Sequence, residues 1–145
     1  MKKLLYLFAV LIPLLLSGCS LLEETNKSLE YVNETTDYLN DLSTFAENAP
    51  QMFQDAATSQ ETKKDLENQL TSLSAEIENF NSIEPPVIAE DIHQQLVAKN
   101  EVLIDQINQV MVNGEILLDQ IENTGIYTTI EEITKLRNQL EELGV

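Results

Sequence analysis

Few side chains in this chain could carry metal or covalent chemistry, and they stand far apart. There is one cysteine, Cys19, one histidine, His93, and no tryptophan. The best chemical pairing lies in "AEDIHQQL", where Glu90 and His93 are three residues apart and share a helix face. A carboxylate and an imidazole so placed can hold a metal ion, and di-iron bundles use Glu-x-x-His twice, with further inward glutamates. Here the motif occurs once, and one histidine builds no imidazole cage, so neither a metal nor another cofactor is expected. A nucleophile with an adjacent base is also missing. No catalytic residue is therefore assigned, and the chain does not read as an enzyme. There is no glycine-rich phosphate loop and no Asp-rich calcium loop. "NET" at Asn33 has only the form of a glycosylation acceptor.

These residues must be positioned by helices. Apolar residues recur at 3-4 spacing through the chain, and no strand-length alternation interrupts them. A first helix is expected over residues 22–47. Leu22, Thr25, Leu29, Val32, Thr36, Leu39 and Ala46 keep an a/d spacing. Tyr31, Tyr38 and Phe45, with Leu42, widen the arc enough for two neighbours. Pro50 should end this helix and open a short one over 50–57. Thr58 and Glu61 have capping-box spacing ahead of a second helix, 60–81, with Leu66, Leu70, Leu73, Ile77 and Phe80 as its seam.

The prolines of "SIEPPVIAED" then break the chain. In the third helix, expected over 88–123, Leu96, Leu103, Val110 and Leu117 repeat every seventh residue, and the register runs on through "VNGE". Gly114 would then be a small seam residue admitting a close neighbour; a break at Asn113-Gly114 is the competing reading. Gly125 is a stop signal, and Thr129 with Glu132 looks like a second capping box. Ile126 is placed to staple against Ile130 or Ile133. The last helix, 129–143, carries Ile133, Leu136, Leu140 and Leu143. The expected class is all-α: an elongated up-and-down antiparallel bundle of about four helices with coiled-coil-like packing.

Four residues stand out on these helices. His93 shares a register with Asn100 and Ile107, so it should pack at the end of the seam near the prolines. Asn100 reads as a buried amide that fixes register, or else as a ligand contact inside the bundle. Tyr31 and Tyr38 read as core, or as the lining of a groove for a partner.

The first 20 residues carry an address. Lys2 and Lys3 precede an apolar run, Leu4 to Leu16, that would reach only about 20 Å as a helix, short of a bilayer core of roughly 30 Å. That is a signal-peptide pattern, ending in Leu16-Ser17-Gly18-Cys19. The four residues resemble the lipobox of bacterial lipoproteins. The resemblance implies removal of 1–18, an S-diacylglycerol (palmitate-type) cysteine at Cys19 with an amino terminus open to further acylation, and a short tether, 19–21, before a helical domain, 22–145. Two acyl chains suffice for stable anchoring where one is marginal. With its single cysteine spent, the exported domain has no internal disulfide and depends on packing.

Taken whole, "LLLSGCSLLEETNKSLEYVNETTDYLNDLSTFAENAP" and "IEPPVIAEDIHQQLV" resemble the small helical lipoproteins of Bacillus-type Gram-positive bacteria. That family implies a place on the extracytoplasmic face of the cell membrane but carries no activity over to any residue. Composition narrows the partners. Lys2 and Lys3 lie in the leader and every acid lies from Glu23 onward, so residues 19–145 hold 6 basic and 25 acidic side chains, a net charge of −19. Such a body is repelled by phosphates, which makes nucleic acid and anionic lipid poor partners. The expected role is a non-catalytic interaction module, held at the membrane by the lipid on Cys19 and binding another envelope or membrane protein. A carrier or sensor with a small ligand between helices, around Asn100 and Gly114, is the alternative.

Overall fold

The structure, a computed structural model, describes residues 18–142, with the side chains of 18–24 and of Glu122 outside the description. Leu16 and Ser17 of the lipobox, and Leu143, therefore fall outside the described residues, as does the side chain of Cys19.

Four helical arms run up and down. The first, α1 (Gly18–Ala56), passes straight through Pro50. The expected end at residue 47 and separate helix over 50–57 are thus corrected. Pro50 sits on the exposed face, where water can take up the carbonyl left without an N–H partner. The apolar rhythm continues past it, with Leu42, Phe45, Ala49 and Ala56 all buried, and that burial outweighs the local preference to stop. The seam is also rotated from the expected one. Ser28, Tyr31, Thr35, Tyr38, Leu42, Phe45 and Ala49 form the buried line, while Leu29 of the expected a/d set is exposed. Of the expected set Leu39 is buried as well, while Val32, Thr36 and Ala46 are half-buried beside the aromatic rings.

α2 (Gln60–Asn81) has the expected bounds, and its seam Leu66, Leu70, Leu73, Ile77 and Phe80 is buried throughout. Its cap is Ser59, whose hydroxyl accepts from the Thr62 N–H at 3.2 Å. Thr58, expected to cap, instead donates to the Asp55 carbonyl in the preceding turn. The prolines break the chain as expected, and a 3-10 turn, Val87–Ala89, leads into α3 (Glu90–Val110).

The expected helix over 88–123 is not continuous. Asn113 and Gly114 take φ of 54° and 80°, the left-handed pair that a two-residue hairpin turn requires. They join β1 (Met111–Val112) to β2 (Glu115–Ile116), with Met111 opposite Ile116. The seven-residue register fails here because Ile116, not Leu117, turns inward; Leu117 is exposed. Glu67 of α2 pins the hairpin by accepting the Ile116 N–H at 3.0 Å. Gly114 has open space around its missing Cβ, so it serves the turn and not a close helix approach.

A 3-10 turn, Leu118–Gln120, and a short α4 (Ile121–Thr124) follow. Gly125 stops α4 in the left-handed conformation, as expected, and α5 (Ile126–Lys135) starts at once. Thr129 is therefore no cap: it lies inside α5, its N–H bonded to the Gly125 carbonyl at 3.0 Å. Ile126, Ile130 and Ile133 are buried together at i, i+4 and i+7, and burying the first of them draws the helix start back to residue 126. One tight turn at Leu136 separates α5 from α6 (Arg137–Glu142).

The directions of the arms follow from their contacts. Tyr31 meets His93 and Tyr38 meets Asn100, both 62 residues apart, so α1 and α3 run parallel in one heptad register. Phe53 meets Tyr127 while Asn40 meets Arg137, so α5 and α6 run antiparallel to α1. Among the described residues, no helix is long and apolar enough to cross a membrane.

Candidate functional site

All four residues singled out by type and spacing fall in one buried cluster, where long side chains of α1 and α3 meet across the bundle interior beside the C-terminal end of α2. Tyr31 faces His93, with the phenol oxygen 3.1 Å from Nδ1. One heptad further on, the Tyr38 hydroxyl donates to Asn100 Oδ1 at 2.5 Å. The Asn100 amide nitrogen in turn donates to Asn81 Oδ1 at 2.7 Å. Asn100 is wholly buried, and its oxygen and nitrogen both have partners. Thr35 lies between the two layers in sequence; its hydroxyl donates to the Tyr31 carbonyl at 2.7 Å, on α1 itself.

The rings form a staircase across three helices. Tyr38 stacks on Phe80 with centroids 4.4 Å apart and planes 12° from parallel. Phe80 tilts over His93 at 5.3 Å, and His93 meets Tyr31 edge-on at 5.8 Å. Phe80 ties α2 to both partners, which makes it the joint of the cluster.

Electrostatics keeps these groups neutral. Burial pushes the His93 imidazole below its ordinary range, and burial raises both the Tyr31 and the Tyr38 phenols. A neutral imidazole beside a neutral phenol satisfies the 3.1 Å contact with either tautomer. Glu90, the other half of Glu-x-x-His, is exposed at the start of α3 while His93 is buried. The two do not converge. No group of three or more His, Cys, Asp or Glu side chains that could hold a metal ion occurs among the described residues. The cluster ties α1, α2 and α3 together through buried side-chain hydrogen bonds and ring contacts.

Asn81 is the member that spacing did not single out. It lies four residues past Ile77, on the same α2 stripe, so a polar residue continuing an apolar stripe was the available signal. Tyr127 was also missed; it meets Phe53 edge-on at 5.8 Å, and burial pushes its phenol to about 12.

A separate groove of about 370 Å³ opens between α1 and α2, lined by Asp41, Phe45, Asn68, Gln69, Ser72, Leu73 and Glu76. Partial burial, and then the negative charge of Asp41, raise the Glu76 carboxyl. It is an acidic, half-apolar trough, and Gly114, on the hairpin turn, is not among its lining residues.

No solved structure matches the chain. The "Uncharacterized lipoprotein YybP" of Bacillus subtilis (strain 168) is 32% identical over 147 residues, covering 99% of both chains. Residues 31–143, nearly the whole described bundle including every member of the buried cluster, match the model of a family of unknown function, DUF6376. The chain belongs to that family.

Proposed function

We propose that the chain is anchored to the extracytoplasmic face of the cell membrane by a diacylglyceryl thioether at Cys19, and that its bundle is a non-catalytic interaction module of the envelope. The observation that carries this reading is the lipobox, Leu16-Ser17-Gly18-Cys19, ending one residue into α1. The similarity to a lipoprotein over nearly the full length supports it. Cleavage before Cys19 would leave no flexible linker between lipid and bundle, so a partner must itself be in or close to the membrane. Labelled fatty acid should enter the wild-type protein and not Cys19→Ala; incorporation into the variant would refute the anchor. Crosslinking in intact cells tests the second half, which fails if no specific protein neighbour is recovered.

A carrier or sensor of a small cation is the second reading, and one observation favours it. The Asp41–Glu76 trough carries two carboxylates beside the ring of Phe45, a combination that suits an organic cation. Its place is the α1–α2 groove and not the Asn100 region, where the amide is already spent. Titration with choline should move the NMR signals of Phe45 and Glu76; unmoved signals at millimolar choline remove this reading.

A further inference from the structure

The two most exposed large apolar side chains among the described residues are neighbours, Val87 at 73% and Ile88 at 55%. They sit on the turn between α2 and α3, just after Pro85-Pro86. Because α1 and α3 run parallel at a constant offset of 62 residues, Glu90 stands level with Ser28, and the 87–88 turn stands level with about residues 24–26 of α1. Cys19 is on the same continuous helix. The axial distance from Cys19 to the turn is therefore about 9 Å, at 1.5 Å per residue.

That distance selects an occupant. The polar layer of one leaflet is roughly 5–8 Å deep, so an upright α1 carries Val87 and Ile88 at its outer edge. Neighbouring helix axes lie about 8–10 Å apart, so a lean of about 30° to that side lowers the turn by about 5 Å, into the layer. Leu29, the exposed apolar residue higher on α1, lies about 15 Å from Cys19 and stays clear. The geometry points to a second, non-covalent membrane contact: the Val87–Ile88 turn inserts among the lipid headgroups and makes α1 lean, seating the bundle on the bilayer. The acyl anchor supplies the high local concentration that so small a contact needs.

Glu84, Glu90 and Asp91 are exposed around the turn and set the lipid preference. On an anionic bilayer they are repelled, and salt screens that repulsion. The contact is therefore strongest on zwitterionic lipid and, on anionic lipid, is recovered at high salt.

This inference rests on the lipid anchor proposed above, and the test keeps the two apart. Acylated full-length protein carrying Ile88→Cys, or Val87→Cys as a second position, is labelled with an environment-sensitive fluorophore. Acylated Cys19 leaves the introduced thiol as the sole free one. Val112→Cys is the control, exposed on the hairpin roughly 30 Å further along the bundle. Each protein is reconstituted into phosphatidylcholine vesicles containing headgroup-spin-labelled lipid. Quenching several-fold stronger at 87 or 88 than at 112, and diminished in phosphatidylglycerol at low salt, is the expected result. Equal quenching at all three positions, in protein that floats with the vesicles, overturns the membrane seat and leaves the anchor standing. Failure to float with the vesicles overturns both.

Discussion

From Glu90 to Asn100 the contact between α1 and α3 is made of a phenol–imidazole pair and a phenol–amide pair; from Leu103 to Val110, α3 buries only aliphatic side chains. Both stretches are equally well buried. They differ in what an error of alignment would cost. A slip of one heptad among leucines and isoleucines exchanges one apolar contact for another, while the same slip at Tyr38 and Asn100 strands buried polar atoms without partners. The aliphatic half is indifferent to which apolar partner it meets, while each buried polar atom of the other half needs a particular one.

Substitutions in the two halves should separate these roles. The largest loss is expected in the aliphatic half: Leu70→Ala empties a wholly buried site and should cost about 3 kcal/mol, seen as a lower urea midpoint at unchanged slope. Asn100→Ala should come next, at about 2 kcal/mol, because it leaves the Tyr38 hydroxyl and the Asn81 amide unpaired. The pair Tyr38→Phe with Asn100→Leu should cost less than the sum of its single changes while broadening the amide NMR spectrum of α1 and α3. A sharp, native-like spectrum would show that the polar layers do not specify alignment.

The smaller effects refine the comparison. Gly114→Ala should cost about 1 kcal/mol from its left-handed φ alone, since its Cβ would meet nothing. A larger loss would mean that the hairpin contributes more than a chain reversal. The pH response is specific to the polar half. Burial lowers the His93 pKa in the folded chain, so the unfolded chain takes up the proton first. Stability is then full above the ordinary histidine value of about 6.5 and declines as pH falls below it toward the depressed folded value. His93→Gln should flatten the urea midpoint against pH in that window; an unchanged slope would assign the acid response to other groups.

What could be read ahead of the structure was local. The α2 stripe and bounds, the proline turn and the Gly125 stop depend on periodicity and turn chemistry within a few residues. The errors arose where distant packing decides. Pro50 signals a stop to its own neighbourhood, but Ala49 and Ala56 are buried beyond the reach of that signal. Leu117 keeps the seventh-residue count, yet the positive φ pair at Asn113-Gly114 hands the inward position to Ile116. The candidate site shows the same division. Tyr31, Tyr38, His93 and Asn100 were each conspicuous by type, whereas their pairing depends on which helices become neighbours. The common separation of 62 residues acquires meaning only after α1 and α3 are known to run parallel and face each other across the core.

The unbroken length of α1 has a mechanical consequence. Its 39 residues form a rod of about 58 Å, with its first turn at Gly18 and Cys19 and its last turns packed in the far half of the bundle. A force applied at its start runs along the rod and loads every neighbouring contact in shear at once. The interlocked phenol, imidazole and amide layers lie across that direction, like teeth on a rack. A bundle held this way resists being drawn out one turn at a time, and a tug on the first turn of α1 is felt by the whole domain.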